Sequence, residues 1–232
     1  MDTAQSIFVA ALGGILPALL WLWFWRREDR LHPEPRWLIL ICFVCGMIAV
    51  PLVIPLERGV YNFFGASGLS FVLWALIEEV FKFGAAWISV LTRKEANEPI
   101  DELIYMITAA LGFAAMENIL FILTPLLQGD IGTSLATGNL RFIGAMLLHT
   151  IASATVGIFM AFAYYHSKKA KRFLTLAGLF LAVVLHTMFN IAIISDATVI
   201  KSFAFYSVWI AAVVLILFFE KVKTISNPLD II

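Results

Sequence analysis

Long apolar blocks, separated by short polar ones, fill almost the whole chain. Seven stand out, at 7–25, 37–54, 69–91, 103–123, 142–165, 173–194 and 203–219. Each approaches the roughly 20 residues a helix needs to cross a bilayer. Backbone polar groups in hydrocarbon must be satisfied within the segment, so blocks of this kind are expected to be helices. The expected fold is an all-α polytopic transmembrane helix bundle of about seven spans. Its connections, none longer than about 18 residues, are too short for a soluble domain. A single membrane-embedded domain over residues 1–232 is therefore expected, with its polar core in spans 69–194.

Composition agrees: 62% of residues are hydrophobic and 14% charged, against about a quarter charged in ordinary soluble domains. Zero net charge gives no global field to attract nucleic acid or an acidic partner. The placement of the charges is more informative. Connections after the first, third and fifth blocks, with the C-terminal tail, hold Arg26, Arg27, Arg30, Arg36, Arg93, Lys94, Lys168, Lys169, Lys171, Arg172, Lys221 and Lys223. The opposite side holds Arg58, Arg141 and Lys201. That asymmetry predicts an outside N-terminus and a cytoplasmic C-terminus. The opening MDTAQSIF lacks the basic region of a cleaved signal peptide, so the first block is expected to remain as a span. Cys42 and Cys45, one turn apart in an apolar run, read as packing residues. Trp21, Trp23, Trp25 and Trp37 are expected to be interface anchors, and the Gly129–Asn139 stretch an ordinary connection.

Ionisable groups inside spans are expensive and mark functional sites. Here they fall in four successive spans: Glu78, Glu79 and Lys82; Glu117 and Asn118; His149; and His186 with Asn190. At about 1.5 Å per residue, Glu117, His149, His186 and Glu78 lie roughly 9 to 14 Å from the outer ends of their spans. These helices run alternately up and down, so a shared depth is not a consequence of spacing along the chain. Residues four apart share a helix face. His186 therefore points with Asn190, His149 with Ser153, and Glu78 with Lys82. Glu78 and Glu79 diverge by about 100°, so one is expected to reach the site while the other pairs with Lys82 or a neighbouring helix.

The motifs Glu78-Glu79-x-x-Lys82, Phe113-x-x-x-Glu117-Asn118, His149 and His186-x-x-x-Asn190, in that order, resemble the PrsW family of intramembrane proteases. That family lies within the wider CAAX-protease and bacteriocin-processing superfamily. Asp29 with Pro33-Glu34-Pro35, and Glu98-Pro99-Ile100-Asp101, extend the resemblance over about Asp29 to Ile194. It implies a multi-pass protein of a bacterial cytoplasmic membrane that makes a first cut in a membrane-anchored regulator such as an anti-sigma factor. The expected partners are a single-span substrate protein and lipid, with no nucleic acid. By motif, Glu78 matches the glutamate that activates water, and His186 with Asn190 match the oxyanion pair. Glu117 stands where the CAAX pattern has a histidine, which gives His149 more weight.

Peptide hydrolysis needs an activated water, an oxyanion stabiliser and a proton donor for the leaving amine. Glu78 and Glu117, as a carboxylate pair holding one proton, would supply a base and an acid. Expected site residues are Glu78, Glu79, Glu117, His149, His186 and Asn190, with Lys82 as a structural ion partner. No cofactor is needed on this route. The alternative is zinc or another divalent metal held by Glu79 (or Glu78), Glu117, His149 and His186, although HExxH is absent. Two non-enzyme readings remain: a proton or metal-ion pathway, and a scaffold that binds another protein's helix. The first would have its polar groups step across the membrane; the second leaves the full motif set unexplained. Expected topology is tested by tags. The N-terminus and the 129–139 segment should be reached by reagent on intact cells, and the C-terminus only after permeabilisation; a C-terminal tag labelled on intact cells overturns the orientation.

Overall fold

The computed structural model describes residues 2–27 and 33–226, all of whose regular structure is helical. Asp29 and Arg30 lie outside the described residues. The helices are α1 (Thr3–Arg26), α2 (Arg36–Phe64), α3 (Gly68–Ala86), α4 (Pro99–Leu127), α5 (Ile131–Leu140), α6 (Met146–Ala163), α7 (Lys168–Ile194) and α8 (Thr198–Lys223). Six stretches among the described residues are long and apolar enough to span a membrane, with α5 and α6 forming one of them. The seventh long helix is α3, whose apolar run is broken by Glu78, Glu79 and Lys82. A π-helical turn, Trp87–Leu91, extends it.

The centre of the bundle is α4, in which every residue from Leu103 to Ala115 is buried. A helix apolar all round belongs inside other helices, and α1, α2 and α6 surround this one. Small residues set how closely they approach. A Cβ added to Gly112 would lie 2.0 Å from the Phe43 carbonyl oxygen of α2, and one added to Gly46 would lie 2.1 Å from that of Ala109. Two backbones therefore touch directly where α2 crosses α4, as small residues allow in membrane helices.

Two expectations change. The Gly129–Asn139 stretch is mostly helix: Asp130 caps α5 by accepting the Thr133 N–H at 2.9 Å, and α5 continues through a π-helical turn, Arg141–Ala145, into α6. An N-cap aspartate before Ile131 is a helix-start signal that the polar composition masked. Trp25 is no interface anchor. It is buried and stacked on Phe219 of α8, with centroids 5.3 Å apart, because the end of α1 is packed against a neighbour. Trp23 and Trp37 are exposed. Cys42 is buried and its thiol donates to the Tyr105 carbonyl, 3.3 Å away, tying α2 to α4.

Gly112→Ala should lower the folded yield and the thermal unfolding temperature in detergent, since overpacking of this kind costs about 1–3 kcal/mol. An Ala variant as stable as the wild type would show that the α2–α4 contact is looser than described.

Candidate active site

Three charged residues on consecutive turns of α3 begin the site. Glu79 and Lys82 are completely buried, and the Lys82 ammonium donates to Glu79 Oε1 at 2.6 Å. It also donates to His149 Nδ1 of α6 at 2.9 Å and lies 4.7 Å from the Phe113 ring centroid. An ammonium can only donate, so His149 Nδ1 accepts, and the ring proton belongs on Nε2. That nitrogen lies 2.8 Å from Glu117 Oε2 of α4 and donates to it. Glu79 carries the network further: His186 Nδ1 of α7 donates to its Oε1 at 2.8 Å, and the Ser153 hydroxyl of α6 donates to its Oε2 at 3.0 Å.

The divergence of the adjacent glutamates thus has a definite outcome. Glu79 faces inward to Lys82, Ser153 and His186. Glu78 faces a cavity of about 670 Å³, bounded by α2, α3, α4, the Arg141 turn and α7. Its buried Oε2 has no hydrogen-bond partner. The same atom lies 3.8 Å from His186 Nε2, 3.8 Å from His149 Nδ1 and 3.6 Å from Lys82 Nζ. Asn190, one turn beyond His186, lines the cavity beside it. Serine chemistry finds no support here, because Ser153 is spent on Glu79.

Two residues from the connections between apolar blocks also belong to the site. Arg141 Nη2 donates to Glu117 Oε2 at 2.6 Å, its Nε donates to Asn118 Oδ1 at 2.5 Å, and the guanidinium lies 4.1 Å from the Phe121 ring centroid. It projects from the π-helical turn, where one extra residue shifts the helix register, a device frequent at functional sites. Glu117 is therefore satisfied by Arg141 and His149 and does not form the expected proton-sharing pair with Glu78. The carboxyl within hydrogen-bonding range of Glu78 is that of Glu57, from the outer part of α2. Neither residue stands in the middle of an apolar block, where an ionisable group is conspicuous.

Away from the cavity, the two remaining stretches of the resemblance also meet. The Tyr105 hydroxyl donates to Glu34, Asp101 hydrogen-bonds with Glu34, and Asp101 Oδ2 accepts the Asn97 and Glu98 N–H groups at 2.8 Å each. They fasten the start of α4 to the loop before α2.

Lys82→Met strands a buried carboxylate, and breaking a buried pair costs about 3–5 kcal/mol. It should therefore lose far more folded protein than Arg141→Gln, whose ion pair is partly exposed. Thermal unfolding of both variants in detergent checks the order; equal losses would mean that Lys82 is not the buried counter-charge.

Residues 34–218 match the model of the PrsW family intramembrane metalloprotease. Among curated relatives, Protease PrsW of Oceanobacillus iheyensis is 28% identical over 204 residues, 86% of this chain and 90% of that one. Protease PrsW of Halalkalibacterium halodurans is 25% identical over 97% of this chain and its own whole length, and that of Bacillus subtilis 27% identical over 74% and 77%. No solved structure matches. With the match running through all four helices of the polar network, this multi-pass bacterial membrane protein belongs to the PrsW family of intramembrane proteases.

Proposed function

We propose that the protein makes a first-site cut in a membrane-anchored regulator, of the anti-sigma-factor kind, near the outer membrane face, using a water activated by Glu78. One observation carries this reading: Glu78 lines a cavity shared with Asn190, and its buried Oε2, 3.8 Å from His186 Nε2, has no hydrogen-bond partner. An unsatisfied buried oxygen costs about 1–3 kcal/mol or more, and a water or a substrate group is its natural partner. In this mechanism Glu78 takes a proton from water while the hydroxide attacks the scissile carbonyl carbon. Asn190 faces the developing oxyanion, and Glu79 orients the His186 ring beside it by accepting from Nδ1. The proton then passes from Glu78 to the leaving nitrogen as the C–N bond breaks, and the carboxylate is restored.

The family description names a metalloprotease, and three side chains are placed where an ion could sit. Glu78, His149 and His186 each offer a ligand atom, all within 4.8 Å of one another, a spacing that suits a divalent metal. The charges around them do not. Lys82 holds His149 Nδ1 at 2.9 Å and stands 3.6 Å from Glu78 Oε2, so a dication would have to displace a buried cation. The arrangement does not fit a resident metal, and Glu78 acts on the water directly.

Peptide bonds inside a regular helix are shielded, so the substrate must be extended where it is attacked. That is easiest where a helix leaves the membrane, and the cavity-facing residues lie toward the outer side in the expected topology. Cleavage of a single-span reporter by purified protein tests the whole reading. Wild type should cut in the outer juxtamembrane segment, with turnover unchanged after chelation to negligible metal content. Glu78→Gln should abolish the cut, and Asn190→Ala should lower its rate about 100- to 1000-fold. Full activity in Glu78→Gln would end this mechanism; stoichiometric zinc whose removal reversibly stops turnover would replace it with a metal-dependent one.

A further inference from the structure

The cavity in front of Glu78 has a second wall that the chemistry leaves unused. Trp74 precedes Glu78 by four residues, so both project from the same face of α3, about 6 Å apart along its axis. An indole near a membrane surface is ordinarily an interface anchor. This one is held differently. Its N–H donates to the Glu57 carbonyl of α2 at 3.0 Å, so the protein, and not the lipid headgroups, satisfies it. Tyr61 of α2 stacks on it with centroids 6.5 Å apart and planes 20° apart, and Phe71 meets it edge-on at 5.3 Å. All three rings line the same cavity as Glu78 and Asn190. A volume of about 670 Å³ falls within the roughly 300–1,000 Å³ typical of ligand pockets, far more than a water nucleophile needs.

We propose that Tyr61, Trp74 and Phe71 form the subsite for a large apolar or aromatic substrate side chain next to the scissile bond, with Trp74 the specificity-determining residue. The inference rests on Glu78 being the reacting end of the cavity, as proposed above. Trp74 lies on the Gly68 side of Glu78, so the residue it takes lies on that side of the bond, which is the outer side in the expected topology. The occupant follows from the chemistry. Three rings pinned by a hydrogen bond and by one another give a preformed apolar surface with little side-chain freedom left to lose on binding. A substrate segment leaving the membrane is rich in the apolar residues that match it. Small residues would leave the rings uncovered, and discrimination in an apolar pocket runs to about 10–200-fold per methylene.

The test uses purified full-length protein and a single-span reporter whose outer juxtamembrane residues are varied, with every cut mapped by mass spectrometry. Wild type should cut where Phe, Trp, Tyr or Leu occupies the outer flank of the bond, with kcat/KM at least 10-fold below that for Phe when Ala stands there. Trp74→Ala should flatten this preference while still cutting; Trp74→Phe, which keeps a ring and loses the N–H, should keep it. Trp74→Leu serves if the Ala variant does not fold, and should weaken selection of aromatic residues. An unchanged cut pattern in Trp74→Ala, or in Trp74→Leu in its place, overturns the proposal, as does a wild type indifferent to the flanking residue. A wild type that cuts nothing, or Glu78→Gln that cuts as well as wild type, instead removes the functional reading on which the proposal stands.

Discussion

The structure depends on one buried ammonium. Lys82 lies where a lone charge would cost several kcal/mol, and its surroundings exist to compensate it. Glu79 at 2.6 Å supplies the counter-charge, His149 Nδ1 at 2.9 Å an acceptor, and the face of Phe113 a further electrostatic contact. The rest of the network follows from these contacts. Because Lys82 claims Nδ1 of His149, the ring proton sits on Nε2 and points to Glu117; because Glu117 is then held from both sides, Arg141 is fixed against it. Glu79, neutralised by Lys82, has capacity left to orient His186 and Ser153. Glu78 is the member left open, and it faces the cavity.

What could be read from the chain, and what could not, divides along physical lines. Helices were legible from apolar blocks, and the buried polar residues from their cost: Glu78, Glu79, Lys82, Glu117, His149 and His186 come from four helices to one network, with Asn190 at the cavity beside it. Arg141, Glu57 and Trp74 were not legible as site residues, because a charge or an indole at the end of a span is ordinary. What makes them unusual is that they turn inward, and that depends on contacts distant in sequence. Arg141 needs the register shift of a π-helical turn, Trp74 needs a carbonyl of α2, and Glu57 needs Glu78 opposite it. Trp25 fails in the opposite direction, for composition cannot tell a tryptophan facing lipid from one facing Phe219.

The cavity is a consequence of how α2 meets α4. At Gly46 and Gly112 the two backbones touch, leaving room for nothing else. Farther along α2, Ala49, Val50 and Val53 pack on Phe113, and beyond them Glu57 and Tyr61 bound open space. Contact without side chains at one level, bulky apolar packing at the next and rings around a void beyond it make a graded wedge. A water-accessible space therefore reaches Glu78 from one side while Lys82 stays fully buried.

The same arrangement answers how so polar a helix enters a membrane at all. On its own, α3 carries two carboxylates and one ammonium, and the groups that complete its network belong to α4, α6 and α7, all made later in the chain. Spacing eases the interval. Lys82 reaches Glu79 and Glu78 at three and four residues, the separations at which side chains meet on one helix, so α3 neutralises one of its two negative charges before any partner arrives. The second is shed by whichever carboxylate keeps a proton. Only when α6 and α7 dock do His149, Ser153 and His186 replace that makeshift with a fixed network. The local pairing that lets α3 insert thus also decides which glutamate is left facing the cavity.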